Sequence, residues 1–150
     1  MAKFIRKIDS RTWLTNPSLV DRVRKAVGAF NDRGGKPSVY AGDSPEDRIL
    51  AVSALAWNRR RGIEKIEKTD YVIITDEQIV EAGLTLVATK STIEWTALEN
   101  RHFEITRDGS TCTEEDLRRL VEILIRDKAE HGRFAKEELK EEARKHCENM

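Results

Sequence analysis

Val39-Tyr40-Ala41-Gly42-Asp43-Ser44-Pro45-Glu46-Asp47 opens the stretch that decides the fold, and Tyr71-Val72-Ile73-Ile74-Thr75 closes it. Val39 to Ala41 predicts a short strand, broken at Gly42-Asp43. Ser44 then caps a helix, Pro45 fills its first turn, and Glu46 and Asp47 complement the positive end of the helix dipole. The helix is expected to run through Arg61; Ile49 to Trp57 is apolar nearly all round, as in an element buried on more than one side. Its end is written in Asn58-Arg59-Arg60-Arg61-Gly62, cations followed by glycine. Tyr71 to Thr75 is short, apolar and β-branched, which predicts a buried strand. Residues 39–75 therefore form a βαβ unit, for which parallel strands and a right-handed crossover are the rule.

Toward the N-terminus, Phe4, Arg6 and Ile8 alternate against Ile5, Lys7 and Asp9, the pattern of a short strand. Asn16-Pro17 marks a helix start, and Val20, Val23, Val27 and Phe30 share one helical face before the loop 31–37. Toward the C-terminus, Thr75-Asp76-Glu77-Gln78 has capping-box spacing, with Gly83 closing a short helix. Leu84–Thr89 and His102–Thr106 predict strands. Thr113 opens a helix with the stripe Leu117, Leu120, Val121, Leu124 and Ile125, expected to end at Gly132. A last helix, about Ala135–His146, has only Phe134, Leu139 and Ala143 as anchors. The fold class is α/β or α+β: a small mixed sheet containing the βαβ unit, flanking helices in two or three layers, and a C-terminal helical pair. One compact domain over 1–150 is expected, made of an N-terminal arm (1–37), an α/β core (38–107) and C-terminal helices (113–147).

Composition excludes several classes. The chain has 150 residues; Leu, Ile, Val and Phe number 36, enough apolar content to argue against disorder. Charged residues make up 36%, well above the usual quarter or so, and aromatics 6%, too few for a broad stacking platform. No apolar run approaches the roughly 18 residues of a membrane span, and the start lacks the apolar stretch of a secretory signal. Two cysteines do not make a disulfide framework, so a cytoplasmic protein with reduced thiols is expected. Net charge is zero, but residues 1–62 hold 13 basic and 6 acidic side chains and residues 63–150 hold 14 and 21. A basic front half thus cancels an acidic back half.

Three constellations bear on chemistry. If the βαβ strands are parallel neighbours, Asp43 and Asp76 sit at the same sheet edge, where ligands of open α/β sheets bind. With Glu46, Asp47 and Glu77 behind them, these carboxylates would offer Mg²⁺ the hard oxygen ligands of a phosphoester hydrolase. The same acids are equally placed as helix-start residues. Second, Arg59, Arg60 and Arg61 fan around a helix end and, with Lys3, Arg6, Lys7 and Arg11, make a phosphate-contacting set suited to nucleic acid. A helix-turn-helix over Leu117–His146 does not fit, because Glu137, Glu138, Glu141 and Glu142 give its second helix the wrong sign. Third, Cys112 before a helix start, with His102 ten residues earlier, is a Cys–His pair to test against an idle loop cysteine. Gly34-Gly35-Lys36-Pro37-Ser38 fails phosphate-loop spacing, and no cysteine–histidine metal spacing occurs.

With no complete catalytic constellation, the reading leans to a non-enzymatic protein acting through protein–protein contacts or self-association. The acidic C-terminal helices would meet the basic N-terminal arm of another copy. No cofactor is expected, except Mg²⁺ under the hydrolase alternative centred on Asp43 and Asp76. The other alternative is a nucleic-acid-binding accessory protein using the N-terminal basic arm and Arg59–Arg61, and no membrane partner is expected.

Overall fold

The computed structural model describes residues 2–15, 19–31, 34–57 and 60–147. The expected helix start at Asn16-Pro17, part of the 31–37 loop, Asn58 and Arg59 lie outside the described residues. In chain order the elements are β1 (Lys3–Ile8), α1 (Thr12–Thr15), α2 (Leu19–Phe30), β2 (Ser38–Ala41), α3 (Pro45–Ala56), β3 (Thr69–Thr75), α4 (Asp76–Glu81), β4 (Thr85–Ala88), β5 (His102–Thr106), α5 (Glu114–Arg126), β6 (His131–Phe134) and α6 (Lys136–Cys147). A 3₁₀ turn at Ile63–Lys65 leads into β3.

The fold is α+β, built on one six-stranded sheet of order β4-β5-β2-β1-β3-β6. Every pairing is antiparallel. The expected βαβ unit is therefore split. β2 and β3 run in the same direction, but β1 lies between them, pairing Phe4 with Ala41 on one side and Lys3 with Thr75 on the other. The mixed sheet expected from the sequence is antiparallel because the N-terminal segment supplies its central strand. The alternation of β1 explains why it can take that place. Phe4 and Ile8 enter the core beneath α2, α4 and α5, while Ile5 enters the opposite core beneath α3 and α6. The sheet is the middle of three layers.

Local signals set most boundaries. Ser44 and Asp47 form a reciprocal capping box at α3, as do Thr75 with Gln78 at α4 and Thr113 with Asp116 at α5. Gly83 takes φ 76° after α4, a left-handed position that favours glycine. Two ends differ from expectation. α3 stops at Ala56 with Trp57 as its C-cap, so Arg60 and Arg61 belong to the following turn rather than the helix. α5 stops at Arg126, with Lys128 in the left-handed region, and Gly132 lies inside β6. There it faces Tyr71 across the β3–β6 ladder, and a Cβ on it would fall 2.6 Å from the Tyr71 hydroxyl oxygen. Glycine is required by that close approach, not by a helix end. Both C-terminal helices form, but β6 stands between them: α5 packs on α2, and α6 packs on α3 across the sheet. They do not present one shared surface.

Candidate functional site

Antiparallel pairing through β1 decides which side chains meet. The C-terminal end of β1 lies beside the N-terminal end of β3 (Ile8 opposite Asp70), and the C-terminal end of β6 lies beside β3 as well (Phe134 opposite Thr69). At this end of the sheet two adjoining clefts open. One, of about 290 Å³, is lined by Lys7, Asp9, Arg61, Lys65, Glu67, Lys68, Asp70 and Arg133, among others. The other, of about 870 Å³, shares Glu67, Lys68 and Arg133 and adds Arg11, Lys136 and Glu138. Seven cations thus converge from β1, the turns flanking it and α3, the 3₁₀ turn, β6 and the start of α6.

Four acids, Asp9, Glu67, Asp70 and Glu138, line the same walls against the seven cations, and two of the four are engaged within the site. Asp70 is buried and accepts from the Arg11 backbone N–H at 2.8 Å, while the Arg133 guanidinium donates to both of its oxygens. Burial alone would push the Asp70 carboxyl up; the Arg133 and Arg11 hydrogen bonds and charges outweigh it and hold Asp70 below the usual carboxylate range. Glu138 accepts from the Ala135 backbone N–H at the start of α6. Asp70 therefore fixes the Arg11 backbone and the Arg133 side chain in place through three hydrogen bonds. Among the described residues, no ion pair holds Lys7, Arg61, Lys65, Lys68 or Lys136. Arranged around rigid sheet ends, free cations of this kind hold a multiply charged anion without first breaking internal bridges.

Of the arginines singled out in the sequence, Arg61 lines this site and Arg60 is exposed in the same turn; Arg59 lies outside the described residues. Lys7 and Arg11 are at the site. Lys3 is at the opposite end of β1, 3.4 Å from Asp43, and Arg6 is buried, donating to the Ser38 and Ala29 carbonyls. Sequence reasoning missed Lys65, Lys68, Arg133 and Lys136. The signal available was Asp70, an acid inside a strand: a buried carboxylate demands a cationic partner.

Asp43 and Asp76 do lie at one sheet end, following β2 and β3. Because β1 separates those strands, their ends stand two strand spacings apart, roughly 9.5 Å. Asp43 pairs with Lys3, and Asp76 accepts from the Glu77 backbone N–H. Asp47 is engaged by Arg101, which holds its carboxyl down at about 2, and by the cap of α3. Among the described residues, no group of three or more histidine, cysteine or acidic side chains is gathered in a way that would hold a metal. His102 and Cys112 are likewise apart. His102 packs on Tyr40 and meets Thr89 Oγ1 at 2.6 Å, while Cys112 is buried in the other core with its thiol donating to the Ile105 carbonyl. Burial and the Asp116 charge push that thiol up to about 11. Among the described residues, no helix is long and apolar enough to cross a membrane. No family model, curated protein or solved structure matches the chain.

Proposed function

We propose that the protein binds nucleic acid, with the phosphate backbone lying across the twin clefts at the end of β1, β3 and β6. One observation carries this reading: seven cations from six separate parts of the chain converge there, and five of them are held by no ion pair among the described residues. Of the four surrounding acids, Asp70 and Glu138 are engaged in holding the site together, which leaves seven cations facing Asp9 and Glu67. Phosphate contact by lysine and arginine needs no stacking surface and carries no sequence information, so the expected binding is tolerant of sequence and steeply salt-dependent.

Binding of a labelled mixed-sequence duplex, followed by fluorescence anisotropy at low salt, tests the reading. The Lys65→Glu/Lys68→Glu variant should lose at least about tenfold in affinity. Both side chains are exposed, so its thermal unfolding should stay that of the parent. Equal affinity in parent and variant would reject this site.

A further inference from the structure

We infer that β4 is the dimerisation edge of the protein, pairing antiparallel with β4 of a second copy across a two-fold axis through Val87. The inference is independent of the nucleic-acid reading, and four strands separate this edge from β6. β4 is the free edge of the sheet, hydrogen-bonded to β5 alone. The Thr89 N–H donates to the His102 carbonyl, and the ladder pairs Val87 with Glu104 and Thr85 with Thr106 in the same alternation. Thr85, Val87 and Thr89 therefore turn their backbone groups inward, and Leu86 and Ala88 turn theirs outward. Two outward residues, two positions apart and centred on Val87, are self-complementary in an antiparallel ladder. Leu86 of one copy exchanges both hydrogen bonds with Ala88 of the other, and the two Val87 residues meet on the axis.

Charge and exposure fit a second copy as the occupant. Thr85-Leu86-Val87-Ala88 contains no charged residue and no proline, the devices that normally keep sheet edges apart. In this register Lys90 falls opposite Leu84, so no like charges are opposed along the edge. Val87, one of the three large apolar side chains exposed among the described residues, lies on this strand itself. The other edge strand, β6, instead carries Arg133, which is committed to Asp70. So short a strand buries well below the area of a permanent interface, which fits a concentration-dependent dimer.

Sedimentation velocity of the full chain over a concentration series should show reversible monomer–dimer exchange. Ala88→Pro removes only an outward N–H, a change an edge strand accepts, and should weaken the dimer at least about tenfold. Val87→Lys, which opposes two cations on the axis, should do the same, and both variants should unfold at the parent temperature. With Cys147 replaced by Ser, Val87→Cys should oxidise to a covalent dimer, because facing residues of a non-hydrogen-bonded pair stand about 4.5 Å apart at Cα. Thr85→Cys should not, since its partner position in the other copy is Thr89. A monomer at every concentration up to about 1 mM overturns the inference. So does a dimer indifferent to both edge variants, or equal cross-linking through residue 85.

Discussion

Asp70 is the residue on which the site's geometry turns. It is 4% exposed, sits inside β3, and anchors one segment through the Arg11 N–H and another through Arg133. Its lowered folded-state pKa fixes the sign of its contribution: stability from this carboxylate is present above its unfolded value, near 4, and lost as pH falls through the lower folded value. Asp70→Asn is therefore expected to lower stability at pH 7 by about 1–3 kcal/mol, discounted because Arg133 is partly exposed. The difference from the parent should shrink toward zero in acid below the carboxylate range, as read by urea unfolding across pH. A second expectation concerns Cys112, whose thiol is held high by burial. Iodoacetamide at pH 8 should label Cys147, which is less buried, well before Cys112, as located by peptide mass; rapid labelling of Cys112 in the folded protein would contradict its placement in the core.

At the scale of elements, the capping boxes of α3, α4 and α5 were readable because a cap is a local device: residue type and a spacing of three suffice. The pairing of strands was not local. β2, α3 and β3 read as a parallel unit, and nothing within 39–75 says that residues 3–8 will pass between its strands. The relevant signal was the two-sided apolar alternation of Phe4, Ile5 and Ile8, which suits a central strand rather than an arm. Gly132 reads as a helix end in the sequence for a related reason. Its role comes from Tyr71, far away in sequence, whose ring occupies the space a Cβ would need. Gly132→Ala should cost about 1–3 kcal/mol by forcing β6 or Tyr71 to shift. Gly109→Ala tests strain at a positive φ without such a neighbour and should leave the β3–β6 pairing intact, as followed by amide exchange.

The whole molecule redistributes the charge that the sequence divides into halves. Lys65, Lys68, Arg133 and Lys136 belong to the acidic half of the chain, yet the fold places them with Lys7, Arg11 and Arg61 from the basic half. Arg6, counted among the cations of the N-terminal arm, is withdrawn into the interior, and Lys3 is carried to the far end of the sheet. The candidate site was thus half visible: Lys7, Arg11 and Arg61 were named from sequence, but only the antiparallel sheet brings them together. The separation of α5 and α6 by the sheet follows from the same topology and dissolves the acidic pair as a single docking face. The claim that this assembled cluster holds a phosphate backbone is tested by the salt dependence of duplex binding. If about three to five phosphates are engaged, log affinity should fall against log salt with a slope of about −3 to −4.5, and the slope should flatten by about 2 in Lys65→Glu/Lys68→Glu. A duplex that fails to bind at low salt, or a slope that the double variant leaves unchanged, would contradict the claim.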